Sequence, residues 1–489
     1  MQSNDEIKSK VIKGLFWKFL ERFGTQAVHF VITILLARIL MPKDYGVIAL
    51  ISVFIAIANV FVSSGFNTAL IQKRDADELD FSSVFYFSLI VALFIYVVLF
   101  FVSPLIAGFY KEPLLVQVIR VLAITLFFGA VNSIQNAVVS KRMEFKRYFY
   151  SSSAGIIASG AAGIVLAYMG FGVWALVFSQ LVNSFSVTLV LWFTVRWRPK
   201  LMFSFKRLKS LFSFGYKLLL SSLIDTIFNN IYPLIIGRIY SKETLGYYNK
   251  GDQFPNLIVT NINGSISSVM LPALSEQQKD KERLKSMVRR SIVTSSFILF
   301  PVLFGLAATA EPVVKILLTD KWLPCVPYMQ ILCVSYAFWP IHIANLQAIN
   351  AVGRSDIYLI LEILKKAITV ISLCVSIPFG VMVMVALKPV TSIIGTFINA
   401  YPNKKLLGYS IREQWADIAP YFLSAIFMSI AVYSIRFLKL SVWPMMIIQV
   451  AAGIVIYFSI AFLFKFECLQ YLLVTIKGAL GRRSKKVKN

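Results

Sequence analysis

Apolar stretches of about 20 residues follow one another along most of the chain, and that succession leaves few folds open. A helix of that length spans the hydrocarbon of a bilayer, where backbone polar groups must be satisfied within the segment itself. About fourteen such segments can be drawn: 14–40, 45–71, 81–107, 114–139, 148–169, 172–195, 214–239, 244–271, 290–310, 324–350, 356–376, 379–400, 416–437 and 442–464. The 489 residues are 58% hydrophobic and 15% charged, with mean hydropathy +0.74. Lipid must therefore be the solvent for much of the surface. The expected fold is all-α and polytopic, with about 14 transmembrane helices.

A repeat organises these segments. Leu36-Ala37-Arg38-Ile39 runs through Pro42-Lys43-Asp44 to Gly46, and Ile236-Gly237-Arg238-Ile239 runs through Lys242-Glu243-Thr244 to Gly246. Ser63-Ser64 leads to Ala69-Leu70, as Ser267-Ser268 leads to Ala273-Leu274. An internal repeat in an apolar chain points to a transporter of two like halves. The expected organisation is an N-terminal six-helix bundle at 1–195, a cytoplasmic linker at 196–213 and a C-terminal six-helix bundle at 214–400. Two further helices at 401–466 and a basic cytoplasmic tail at 467–489 have no repeat partner. Six being even, the bundles share an orientation, with a pseudo-symmetry axis along the membrane normal.

The net charge of +26 would suggest nucleic acid in a soluble protein, but no nucleic-acid motif is present. The cations collect instead in alternate loops: Lys141, Arg142, Lys146 and Arg147; Arg196, Arg198, Lys200, Lys206, Arg207 and Lys209; Lys279, Lys281, Arg283, Lys285, Arg289 and Arg290; and the tail 482–489. The positive-inside rule puts these loops and both termini in the cytoplasm of a cell inner membrane protein. The N-terminus lacks a signal-peptide cleavage pattern, so the first helix is expected to be retained. The four cysteines form no CxxC pair, and the only histidines are His29 and His342. No metal site and no cofactor are expected.

Ionisable groups inside spans are costly and usually face a cavity or a partner. Lys217, Ser221, Asp225 and Asn229 fall at steps of four and form one polar stripe. The repeat offset carries that stripe onto Trp17, Glu21, Thr25 and His29, with Arg22 alongside. The eighth segment adds Lys250, Asp252, Asn256, Thr260, Asn263 and Ser267; the eleventh adds Glu362, Lys365 and Lys366. Cations outnumber acids in this set, and a wet cleft with surplus cations attracts anions. Bland readings stand beside the cleft: Arg38 and Arg238 as outer-rim cations or snorkelling side chains, Glu362 with Lys366 as an i,i+4 pair, the Asn and Ser positions as interhelical glue.

Ala37-Arg38-Ile39-Leu40-Met41-Pro42-Lys43-Asp44-Tyr45-Gly46, Ser64-Gly65-Phe66-Asn67-Thr68-Ala69-Leu70-Ile71-Gln72 and Gly170-Phe171-Gly172-Val173-Trp174 occur in that order. Leu245-Gly246-Tyr247-Tyr248, Leu271-Pro272-Ala273-Leu274-Ser275, Lys321-Trp322-Leu323-Pro324 and Asn350-Ala351-Val352-Gly353-Arg354-Ser355-Asp356 follow. The series resembles the polysaccharide-transport (Wzx-type) flippases of the multidrug/oligosaccharidyl-lipid/polysaccharide exporter superfamily. The nearest look is to colanic-acid, teichuronic-acid and O-antigen exporters. The resemblance implies a MATE-like pair of six-helix bundles alternating between inward- and outward-open states. It implies translocation of an undecaprenyl-pyrophosphate-linked oligosaccharide repeat unit for surface polysaccharide, with no bond chemistry.

A proton or sodium ion, membrane lipids and polymerase machinery are the remaining candidate partners; Glu21, Asp225, Asp252 and His29 are candidate ion-coupling groups. The main alternative is an ion-coupled multidrug antiporter, which wants a dominant acidic site. A polysaccharide polymerase or ligase would need a sizeable outside catalytic loop. No such loop is present, so the chain is not expected to be an enzyme, and with no Walker-type nucleotide loop direct ATP hydrolysis is not expected.

Overall fold

A computed structural model of the chain describes residues 4–63, 65–73, 75–278 and 280–470. Lys279 and the basic tail 482–489 lie outside the described residues. Packing divides the chain into two compact units, 1–249 and 250–489.

The first unit holds α1 (Asn4–Ile39), α2 (Pro42–Ser63), α3 (Phe66–Gln72), α4 (Glu78–Tyr110), α5 (Leu114–Leu122), α6 (Thr125–Arg142), α7 (Lys146–Tyr168), α8 (Val173–Thr194), α9 (Phe205–Asn229), α10 (Ile231–Ile239) and the start of α11 (Lys242–Glu276). The second holds the rest of α11, then α12 (Lys281–Ala308), α13 (Ala310–Leu317), α14 (Val326–Ala337), α15 (Trp339–Ala351), α16 (Ser355–Ser376), α17 (Val381–Ala400), α18 (Asn403–Leu407), α19 (Ile411–Ser434) and α20 (Val442–Leu463). The sequence places the bundle division at 196–213, but α9 packs on α2, α3 and α4 of the first unit. The repeat boundary thus stays a division of the sequence, while the packing boundary falls inside α11.

Among the described residues nine helical stretches are long and apolar enough to cross a membrane, or ten with the bent α9. The other expected spans are helical but dilute their apolar character. Polar groups load α1 and α11, Glu362, Lys365 and Lys366 load α16, and segment 324–350 is two shorter helices meeting at Phe338. Segment 45–71 also breaks, at Gly65 with φ 68°. A Cβ there would lie 2.7 Å from the Gly215 carbonyl oxygen, so the turn needs glycine. Opposite it α9 bends by 54° between Ser213 and Gly215.

The loops of the first unit sort by side, as the alternating charge predicts. At one end Lys242 pairs with Glu112 at 3.5 Å and Arg238 lies 4.5 Å over the Phe109 ring. There too Asp44 sits 3.5 Å from where a Cβ on Gly172 would be. At the other end, Lys73, Asp80, Lys141 and Arg207 meet above an apolar core of Phe66, Leu70, Phe85, Val138, Trp197 and Leu208. The segments 73–80, 141–147 and 196–209 therefore share one end of the unit.

Candidate functional site

In the first unit, α9 turns Lys217, Ser221, Asp225 and Asn229 away from α2, α3 and α4, and all four are exposed. The stripe is flanked by exposed Leu220 and Ile224, so the face is mixed rather than wholly polar. On α1, His29 is exposed, while Glu21, Arg22 and Thr25 are half-buried. The Thr25 hydroxyl donates back to the Glu21 carbonyl. Trp17, one turn earlier, packs at a tilt against Phe149 and Tyr150 at ring separations of 5.6 and 6.1 Å. Lys146 lies 5.3 Å from the Trp17 ring, so that end of the α1 stripe is a contact with α7. Of the outer-rim pair, both are exposed and Arg238 caps an aromatic ring.

In the second unit the α11 residues divide. Lys250 is 3% exposed, donates to Gln253 Oε1 at 3.0 Å and lies 5.6 Å over the buried Trp322 ring. It is enclosed rather than wet. Asp252 accepts from the Tyr336 hydroxyl at 2.8 Å and from Asn256 at 3.3 Å. Asn263 is 5% exposed. On α16, Glu362 pairs with Lys365 at 2.6 Å, an i,i+3 pair. Lys366 is half-buried beside it.

Two features of this unit carry no motif. Helices α12, α13, α19 and α20 line an open apolar pocket of about 630 Å³ whose walls include Ile298, Val302, Met428, Gly453 and Phe458. Behind α15 a polar network joins His342 to Ser392, Thr396 and Asn399, and Asn345 to Gln414 and Asn403. Partners some 50 to 70 residues apart leave no local spacing to read. A step-of-three-or-four polar pattern on α17 (Ser392, Thr396, Asn399) was the available signal.

Residues 35–327, more than half the chain, match the family model described as polysaccharide biosynthesis protein. The chain belongs to that family. The teichuronic acid biosynthesis protein TuaB of Bacillus subtilis is 24% identical over 81% of this family member and 84% of its own length. The lipopolysaccharide biosynthesis protein WzxC of Escherichia coli is 23% identical over 86% of each chain. Among solved structures, the lipid II flippase MurJ in an inward closed conformation superposes with TM-score 0.72 at 14% identity, covering 92% of this chain and 98% of MurJ. An inward-facing multidrug resistance MATE transporter gives 0.63 at 15% identity, over 78% and 95%. This polysaccharide biosynthesis protein is therefore a polytopic membrane protein with the fold of the MOP superfamily, as its motif order implied.

Proposed function

We propose that the chain flips an undecaprenyl-pyrophosphate-linked oligosaccharide repeat unit across the cytoplasmic membrane, for assembly of a surface polysaccharide. Its family membership over residues 35–327 carries the reading. The exposed Lys217 stripe supports it, because a lysine ammonium on an accessible face of a membrane helix needs water or an anion beside it. Pyrophosphate is such an anion, met by Lys as a point charge and by Arg as a fork. The apolar pocket lined by α12, α13, α19 and α20 offers a prenyl chain a place out of water. Arg22 and Lys217 of the first unit are candidate headgroup-binding cations, with Arg38 and Arg238 as its outer-rim cations; Lys365 and Lys366 are the candidates of the second unit. Rocking of the two repeats would then expose the headgroup on the other side. Both termini are placed in the cytoplasm on the loop charges.

Deleting the gene is expected to trap lipid-linked repeat units on the inner leaflet and remove surface polysaccharide. Restoring the wild-type chain should return both. Lys217→Glu is expected to lower surface polysaccharide roughly tenfold, since it reverses a charge met by the anion, whereas Lys217→Arg keeps most of it. Full export after Lys217→Gln and Arg22→Gln together would defeat the cationic-path reading. The MATE likeness keeps one competitor in view. Unchanged polysaccharide with raised drug sensitivity on deletion would favour a multidrug antiporter instead.

A further inference from the structure

Residues 196–209, from the end of α8 into the first turns of α9, carry six cations and no acid: Arg196, Arg198, Lys200, Lys206, Arg207 and Lys209. Two of them are committed to the fold. The Arg198 guanidinium donates to the Val195 and Trp197 carbonyls at 2.6 and 2.8 Å and lies 4.8 Å over the Trp192 ring, closing the end of α8. Arg207 is held by Asp77 and Asp80. Arg196, Lys200, Lys206 and Lys209 are exposed, and none of these side chains is engaged in an ion pair or hydrogen bond among the described residues. A one-sign cluster of this kind draws its counter-charge from outside the chain.

Apolar side chains stand among these cations. Leu201 is 98% exposed, Phe205 71% and Phe203 50%. The backbone explains why they project. Pro199 disfavours helix at the residue before it, and 196–204 runs without helix. Two amides tie this stretch to α4: the Lys200 N–H donates to Ser82 Oγ at 3.1 Å, and the Ser204 N–H donates to Ser83 Oγ at 2.9 Å. Leu201 and Phe203, between the two ties, face outward. Ser204 then caps α9 by accepting from the Arg207 N–H, and Leu208 and Leu211 enter the apolar core. Phe205, Lys206, Lys209 and Phe212 take the exposed face. Because α9 bends by 54° after Ser213, this first arm is a short amphipathic helix set off from the rest.

The same ties fix the depth of the segment. The apolar run of α4 begins at Phe81, directly after the Asp77–Asp80 cap. Ser82 and Ser83 follow at once, so residues 200–204 stand where α4 enters the hydrocarbon. Irregular backbone exposed to lipid does not enter that hydrocarbon, so the segment lies at headgroup level. There Leu201 and the two phenylalanines reach acyl chains, while the cations reach phosphates. An acidic loop of a partner protein would answer only the cations.

We propose that residues 196–212 form a docking surface for anionic phospholipid headgroups: the four uncommitted cations meet the phosphates, and Leu201, Phe203 and Phe205 insert beneath them. The surface itself is independent of the cargo. Its consequence for transport rests on the flippase reading. Past the bend the arm continues into the Lys217 stripe of α9, so lipid that holds the arm also holds that stripe at its level.

The test uses the full chain in phosphatidylcholine nanodiscs carrying a trace of photoactivatable lipid. A phosphatidylglycerol probe is expected to label peptides from 196–212 several-fold more than a phosphatidylcholine probe, with the preference weakening as salt rises. Each cation at an anionic surface is worth roughly fivefold in affinity. Lys206→Gln with Lys209→Gln should therefore cut phosphatidylglycerol labelling of this segment by roughly tenfold or more, and Lys206→Arg with Lys209→Arg should keep it. Lys404→Gln with Lys405→Gln removes the same charge from exposed positions of α18 and should leave the labelling unchanged. Equal labelling by the two probes, or equal loss in both glutamine double variants, overturns the surface. Depth gives the second readout. A nitroxide on Leu201→Cys, with Cys374→Ser removing the exposed native thiol, should be open to oxygen and closed to a water-soluble nickel chelate. A label open to the chelate puts the segment in water, overturns the insertion and leaves an acidic protein as the partner. In the deletion strain, replacing all four cations by glutamine should lower export several-fold. Wild-type export with the labelling lost overturns the link to transport and leaves the lipid surface standing. Labelling as stated, with no export from the wild-type chain, overturns the flippase reading alone.

Discussion

Gly46→Ala and Gly246→Ala are each expected to lower the unfolding temperature of the purified protein, and the double variant is expected to cost little more than one. The two glycines are the equivalent residues of the internal repeat, and the structure sets them against each other. A Cβ on Gly46 would land on the Lys242 carbonyl oxygen, and a Cβ on Gly246 on the Pro42 carbonyl oxygen, with Gly46 N 3.3 Å from that second point. The obstacles are backbone, so no side chain can swing aside. The first turns of α2 and α11 must part by about 1–2 Å before ordinary contact returns. Forced separation of a packed contact costs about 1–3 kcal/mol. One separation relieves both clashes, so the costs are coupled and should not add. Gly108 is the control: it is helical with nothing near its Cβ position, and Ala there should be neutral or slightly stabilising. Unfolding of Gly46→Ala at the wild-type temperature, or strictly additive costs in the double variant, would remove this contact from the account of the fold.

That contact shows what the sequence disclosed and what it kept. The repeat phrase was legible at Gly46 and Gly246, because a helix start that needs glycine leaves glycine at one register in both halves. That the two starts touch was not legible, since it depends on where α10 and α2 pack. Segments 81–107, 148–169, 172–195 and 442–464 appear as α4, α7, α8 and α20 with ends shifted by a few residues. Hydropathy alone fixes such helices. The break at Ala123 escaped notice because no glycine or proline stands there and apolar periodicity continues across it, while the break at Asn230 left Pro233 in the first turn of α10. The break at Phe338 did leave a mark, Pro340 near the start of α15.

Among the site residues, Lys217, Ser221, Asp225 and Asn229 share one exposed face of α9 within the first unit. Lys250, two residues before the α11 set that starts at Asp252, is enclosed by Trp322, a residue 72 positions on. Periodicity assigns a face to a helix; it does not say whether another helix covers that face. The His342 and Asp80 clusters stayed hidden for the same reason.

Asp80→Ala is expected to be the most damaging single change at the basic end of the first unit. Asp80 is 0% exposed and its Oδ2 meets Lys73 Nζ at 2.6 Å and Arg207 at 3.5 Å. The same carboxylate accepts from the Asp77 N–H at 3.2 Å, while the Asp80 N–H donates to Asp77 Oδ1 at 3.0 Å, a capping box at the start of α4. Ser82 and Ser83, one turn on, accept from the N–H groups of Lys200 and Ser204 and tie down the 196–204 segment. Removing one partner of a buried ion pair costs about 3–5 kcal/mol because the other charges are left uncompensated. Lys73 and Arg207 keep some solvent access, which places Asp80→Ala near about 3 kcal/mol. Asp80→Asn keeps an acceptor for the cap and should cost about half as much.

The damage should be local first, with amide exchange rising across 196–209 before the rest of the unit opens. Acid should act in the same direction. The Asp80 N–H, and then the Arg207 charge, hold the Asp77 carboxyl below its ordinary value. Its contribution is therefore complete above the ordinary aspartate pKa and is lost as pH falls through the lower folded-state value. Protection of 196–209 should decline over that acidic interval, and Asp77→Asn should flatten the decline. Unaltered exchange across 196–209 in Asp80→Ala would mean that the apolar core of Phe66, Phe85 and Trp197 holds the segment by itself, with the charges as bystanders.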